Sequence, residues 1–246
     1  MNGKMTDQVV LITGGAGGIG TEVSRAVAEA GAHVVLVGRR PEEELQAVAR
    51  TLPGEGHLGI RASVDDSADV VRMAGEVEAR YGRLDVLVNN AAITRLIPHD
   101  DLDALDDALI DEIFRVNWRG AFACVRAFRR LLEAGPGGVI INMTSNAGIT
   151  GQGSNIAYCA SKAAINTMTL SLARALAPKI RVLAIAPGFV DTGFVTRDPA
   201  WVERAAKMSL MGVAVPPDAL GAAVVAAVTD LPYSTGCIIP VDAGRG

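Results

Sequence analysis

Short runs rich in β-branched residues alternate along the chain with longer stretches of helical period, a pattern that predicts βαβ units and a parallel sheet covered on both faces. Strands are expected at Val9–Thr13, His33–Gly38, His57–Arg61, Leu84–Asn89, Gly138–Thr144, Ile180–Ala186 and Cys237–Val241. Each is an almost unbroken apolar run, as suits strands buried on both sides. Between them, helices are expected at Ile19–Ala30, closed by Gly31, at Glu42–Leu52, opened by Pro41, and at Ser67–Tyr81, capped by Ser67 and closed by Gly82. Longer helical stretches cover Ala104–Leu132, with a break near Val116-Asn-Trp118, and Ile156–Leu176. After Pro187 the pattern weakens, and Pro199, Pro216 and Pro217 punctuate a segment read as a mobile flap, about 189–213, with a short helix. The expected architecture is α/β: a doubly wound, seven-stranded, mainly parallel sheet with helices on both faces. Ligands of such sheets bind at the carboxyl ends of the strands.

Composition narrows the class. The chain has 246 residues, half of them hydrophobic, and no proline-rich or serine-rich divider, so one domain is expected over residues 1–246. Mixed charge with a formal net of −4 and few aromatics argue against a nucleic-acid partner. No apolar run approaches the ~20 residues that cross a bilayer. Cys124, Cys159 and Cys237 are far apart, and the N-terminus runs into Val9-Val-Leu-Ile12 without a signal-sequence pattern, which predicts a reduced, cytoplasmic chain. His33, His57 and His99 lack ligand spacing, so no metal site is expected.

Candidate chemistry begins at Thr13-Gly-Gly-Ala-Gly-Gly-Ile-Gly20, where the first strand hands over to the first helix. Gly14, Gly18 and Gly20 let backbone approach a phosphate while the helix N-terminus offers free N–H groups. A tight turn without ligand is the plain alternative. The second strand ends Leu36-Val-Gly-Arg-Arg40, with glycine where an acid would bind a ribose 2′-hydroxyl. Arg39 can offer a planar fork to a 2′-phosphate and Arg40 adds charge beside it, which favours NADP(H), with NAD(H) as the alternative; both arginines could also be a merely solvated strand end. Further on, Tyr158 and Lys162 stand at i and i+4, on one face of the last long helix. A tyrosine with its ordinary pKa of about 10 is a poor base near neutrality, and a close cation favours its phenolate. Ser145 follows the fifth strand, where its hydroxyl can hydrogen-bond a substrate oxygen. Alone, such a tyrosine is more often core and such a lysine more often surface.

Together these residues resemble the short-chain dehydrogenase/reductase family in its compact single-domain form. The resemblance runs nearly end to end: the glycine turn, Asn89-Asn-Ala-Ala92, Asn117, Ser145, Tyr158-x-x-x-Lys162, Pro187-Gly188, Tyr233-Ser-Thr-Gly236 and Pro240-Val-Asp242. It implies that Tyr158 exchanges the proton, Ser145 orients the carbonyl, Lys162 holds the nicotinamide ribose and assists Tyr158, and Asn117 supports a water relay to Lys162. By the same resemblance Gly14, Gly18, Ile19, Gly20, Arg39, Ser63, Val64, Asn90, Ala91, Tyr158, Lys162, Pro187, Gly188, Val190 and Thr192 hold the cofactor. Three positions depart from the commonest pattern: Ala92 and Ala243 replace glycines, and Ser63-Val64 replace an aspartate that meets the adenine.

The function these features imply is NADP(H)-dependent interconversion of a ketone and a secondary alcohol. Substrate contacts are expected from Thr94, Asn146, Gln152 and Phe194, with Trp201, Met208 and Met211 lining the flap, which favours a mostly apolar small molecule. Arg95 and Arg197 keep 3-oxoacyl-acyl carrier protein reduction as the second reading. A catalytically silent nucleotide-binding sensor or scaffold is the reading from another class, and it conflicts with the presence of all four proton-transfer residues. Pairing into a homotetramer is a further implication of the resemblance.

Overall fold

The computed structural model describes residues 3–195 and 198–244. Its seven strands form one sheet in the order β3-β2-β1-β4-β5-β6-β7, every neighbouring pair parallel. They are β1 (Val9–Thr13), β2 (His33–Gly38), β3 (Leu58–Arg61), β4 (Val86–Asn89), β5 (Gly138–Met143), β6 (Ile180–Pro187) and β7 (Cys237–Val241). The order reverses between β1 and β4, which opens a crevice at their carboxyl ends.

The continuous apolar strands supply two cores. On one face Val10, Ile12, Val34, Leu36, Val88 and Ile141 pack with Val23 and Val27 of α1 (Ile19–Glu29), Ala49 of α2 (Glu42–Thr51), and Leu220 and Val224 of α9 (Pro217–Thr229). Residues of opposite parity, among them Leu11, Val35, Leu87 and Ile140, meet Met73 of α3 (Ser67–Tyr81), Phe128 of α5 (Ala121–Glu133) and Ala173 of α7 (Ile156–Leu176) on the other. That division follows from the two-residue period of a strand. Among the described residues no helix is long and apolar enough to cross a membrane.

Several boundaries differ from expectation, each for a local reason. Asp66, not Ser67, caps α3, its carboxylate accepting from the Ala68 and Asp69 amides. The expected helix at 104–132 starts only at Asp107, because Asp106 caps α4 (Asp107–Phe114) by accepting from Leu109 N at 2.8 Å. Its break at 116–118 is a π-helical segment, Arg115–Gly120. His57 precedes β3 because its ring is a turn element: Nδ1 accepts from Val34 N at 3.0 Å, so Nε2 donates to Pro53 O at 3.0 Å. Two helices have no counterpart in the expectation, the short α6 (Ala147–Thr150) and α9. The latter lies so close to α1 that a Cβ at Gly221 would come within 2.8 Å of Glu22 O and of Ala26 Cβ.

The segment between β6 and α9 contains α8 (Pro199–Lys207) and is stitched at its feet, where Val215 N donates to Phe189 O at 2.8 Å. Leu210 N and Met211 N donate to Gly244 O and Ala243 O, at 3.2 and 3.1 Å. Ala243 takes φ of +55°, the left-handed conformation that glycine adopts more readily.

Candidate active site

The sequence places small residues where chain must pass close to chain at the top of β1. Gly14 and Gly18 take φ of +67° and +47°, and a Cβ at Gly17 would meet nothing within 4 Å. No side chain caps α1, and Gly17, Gly18 and Ile19 at its start line the cleft, while the Gly20 amide donates to Gly17 O at 2.9 Å. This uncapped, side-chain-free cradle fits the diphosphate of a dinucleotide. Gly20 has another purpose: a Cβ there would lie 2.0 Å from Gly14 O, so the position packs α1 against the turn.

The cleft, about 690 Å³, runs along the carboxyl ends of the strands. Of the residues expected to hold cofactor, Gly14, Gly18, Ile19, Arg39, Ser63, Val64, Asn90, Ala91, Tyr158, Lys162, Pro187, Gly188, Val190 and Thr192 line it, and Gly20 does not. Arg39 is exposed and has no ion-pair partner among the described residues. Arg40 is exposed outside the lining. The Ser63 hydroxyl is engaged by Asp65, and Asp65 also pairs with Arg115 at 3.1 Å. Hydrogen bonds from Ser63 and Arg115 hold the Asp65 carboxyl below the usual carboxylate range. Asp65 lines the cleft, so this nucleotide-side wall carries an acid that the expectation of Ser63 and Val64 overlooked. An acid four residues beyond the end of the third strand was the available signal.

At the other end α7 and the top of β5 bring three groups together. Ser145 and Tyr158 face the same part of the cleft, the serine hydroxyl close enough to the phenol to favour its ionised form. Lys162 Nζ stands 5.6 Å from the centre of the Tyr158 ring and donates to Met143 O at 2.8 Å. Burial pushes the phenol up to about 12, opposed by the Ser145 hydrogen bond, and pushes the ammonium down to about 8. The expected depression of the phenol by its neighbouring cation is therefore not what this arrangement produces. Desolvation dominates, and the phenol stays protonated at neutral pH.

Asn117 is buried outside the cleft lining, where Oδ1 accepts from Ile93 N at 2.8 Å and Nδ2 donates to Ile93 O and Ser161 Oγ, both at 3.1 Å. Among the expected substrate residues, Asn146, Gln152 and Phe194 line the cleft, as do Trp201 and Met208. Thr94 stands behind the wall, its hydroxyl bonded to Ser154 Oγ. Met211 and Arg95 are exposed away from the lining, and Arg197 lies outside the described residues. Aromatic rings shape this end: Phe194 is 6.3 Å from Tyr158, and Phe189 meets Trp201 edge-on at 5.4 Å. His99, bonded to Gly153 O at 3.1 Å, and Ser154 line it without having been expected. No group of three or more metal-binding side chains occurs among the described residues.

Residues 8–203 match the family model described as short chain dehydrogenase. A cis-4-hydroxycyclohexanecarboxylate dehydrogenase of Sinomonas cyclohexanicum is 34% identical over 99% of this chain and 98% of its own length. A 3-oxoacyl-[acyl-carrier-protein] reductase of Staphylococcus aureus is 35% identical over 76% of each chain. The crystal structure of an NADPH-dependent 3-quinuclidinone reductase from Rhodotorula rubra superposes with a TM-score of 0.87 at 30% identity, covering 98% of this chain and 92% of that one.

Proposed function

We propose, for a chain that belongs to the short-chain dehydrogenase/reductase family of oxidoreductases acting on alcohols and ketones, that it is an NADP(H)-dependent reductase of a small, mostly apolar ketone. The observation that carries this reading is the meeting of Ser145, a protonated Tyr158 and a buried Lys162 at the aromatic end of a cleft whose other end is a bare glycine cradle. A bound nicotinamide dinucleotide supplies the hydride. The chain's own residues do the rest. Ser145 and Tyr158 present two hydroxyls to one oxygen, so a carbonyl entering between the walls is oriented and polarised by hydrogen bonds. As negative charge develops on that oxygen, Tyr158 gives up its phenolic proton. Lys162, beneath the ring, offsets the charge left on the phenolate, and its Met143 hydrogen bond fixes where that cation sits. Oxidation of the alcohol uses the same groups in reverse.

Arg39 supports NADP(H), since it lines the cleft at the end of β2 and has no ion-pair partner among the described residues, which leaves it available to a 2′-phosphate. The apolar substrate is supported by the lining: among the described residues its charged side chains are Arg39, Asp65 and Lys162, and only Lys162, beside Tyr158, stands at the aromatic end. A structural relative named for 3-quinuclidinone and a sequence relative named for a hydroxycyclohexane acid support a cyclic substrate. Acyl carrier protein reduction is less well supported, because Arg95 does not face the cleft. A panel of carbonyl compounds followed by NADPH absorbance identifies the substrate. Tyr158→Phe then abolishes turnover, by about 10²-fold or more, while NADPH still binds. Unchanged turnover by this variant refutes the assignment.

A further inference from the structure

Asn155 has no part in the chemistry above, yet its side chain is tied to both walls of the substrate end. It is 1% exposed and precedes α7 in extended conformation, φ −168° and ψ 168°. Its Oδ1 accepts from the peptide N–H of Tyr158 itself, at 2.7 Å. Its Nδ2 donates to Arg95 O at 2.7 Å and to Thr94 Oγ1 at 3.3 Å. The preceding residue adds to the same seam: Ser154 O accepts from Ile97 N at 2.8 Å, and Ser154 Oγ meets Thr94 Oγ1. At the other end of the tyrosine's backbone, Tyr158 O accepts from Ser161 Oγ at 2.8 Å, and that hydroxyl accepts from Asn117.

A helix cap needs only an acceptor, which serine, threonine and aspartate supply equally well. The primary amide adds a donor, and here the donor is spent on the segment that follows β4. A single planar group thus fixes the distance between the backbone of the reacting tyrosine and residues 94–95, behind the cleft wall formed by Ile93 and Ser154. We infer that Asn155 is a positioning residue that holds Tyr158 in register with the segment after β4, acting through both ends of its amide. The inference rests on Tyr158 being the proton donor. Its effect belongs to the chemical step, because a displacement of the phenol by about 1 Å can cost 10²-fold in rate.

Asn155→Asp tests this, since it keeps the cap acceptor and loses both donations; Asn155→Ala loses the cap as well. With a ketone from the panel, Asn155→Asp is expected to melt below the parent, because its buried carboxylate faces Arg95 O, yet to stay folded at the assay temperature and keep KM for NADPH within about twofold. Its kcat should fall roughly 10-fold or more, with a larger primary isotope effect from deuterated NADPH as the chemical step becomes slower. Asn155→Ala should show the same kcat loss or greater, together with lower stability. Parental kcat and isotope effect in Asn155→Asp overturn the inference, as does a loss of kcat that merely tracks unfolding or weakened NADPH binding. Tyr158→Phe, measured alongside, separates the two failures: if it is inactive while Asn155→Asp is normal, the proton donor stands and the positioning role falls.

Discussion

Replacing Arg39 by alanine should change which dinucleotide the protein prefers and little else. The guanidinium lines the nucleotide end of the cleft, is exposed, and has no ion pair among the described residues. Asp65, the acid lining the same end, is held by Ser63 and Arg115, so it does not neutralise Arg39. A hydrogen bond to a charged group is worth about 1.5–3 kcal/mol when sheltered, and solvent screening at an exposed site reduces it to roughly 1–2 kcal/mol. At 1.4 kcal/mol per factor of ten, kcat/KM for NADPH should drop about 5- to 30-fold. The value for NADH should stay within about twofold, because it lacks the 2′-phosphate. Initial rates with both cofactors at fixed ketone measure this, and repeating them at higher salt should narrow the parent's NADPH advantage. Equal changes for NADPH and NADH, or none, refute the reasoning and return Arg39 to a solvated strand end.

Two further outcomes follow from packing and from protonation. Gly20→Ala, whose methyl would lie 2.0 Å from Gly14 O, should lower stability by about 1–3 kcal/mol and weaken dinucleotide binding, whereas Gly17→Ala, with open space at its Cβ, should weaken binding with an unchanged melting temperature; calorimetry with and without NADPH separates the two. His57 should make the fold acid-sensitive, because burial first and His33 nearby lower its pKa from 6.5. The neutral ring accepts from Val34 N, so the unfolded chain binds the proton more readily: this contribution is complete above pH 6.5 and is lost as pH falls below it. Denaturant midpoints between pH 7 and 5 should decline in the parent and decline less in His57→Gln; identical slopes would dismiss the mechanism.

How much of this was legible beforehand varied with the kind of interaction. The strands were, because burial on both faces leaves unbroken apolar runs, and β1, β2 and β7 begin and end where the pattern puts them. Helix α9 was not. Its alanine-rich sequence carries almost no contrast between faces, and it exists because small residues at Gly221 and Ala26 let it press on α1. Caps were misplaced by one residue at Asp66 because two adjacent polar side chains can both cap and only geometry chooses. Within the site, spacing brought Tyr158, Lys162 and Ser145 into one group, but their protonation depends on depth, which spacing does not encode. Thr94 was expected to touch substrate and instead braces the wall from behind, while Asn117, expected to support a water relay, is buried against Ile93 and Ser161. Asn155 escaped notice because its cap is visible in sequence only as a polar residue three places before Tyr158.

The stitch between Phe189 and Val215 has a consequence for how the protein can change over evolutionary time. The segment is clipped at its feet there and again where Leu210 and Met211 bond to Gly244 and Ala243, so the stretch before Leu210 can change length with little effect on the sheet. Each doubling of such a loop adds only about 0.6 kcal/mol of closure entropy. Insertions and deletions there can remodel the aromatic wall while Ser145, Tyr158 and Lys162 stay anchored in β5 and α7. The substrate end is in this sense an exchangeable cassette, clipped into a frame that keeps the chemistry constant.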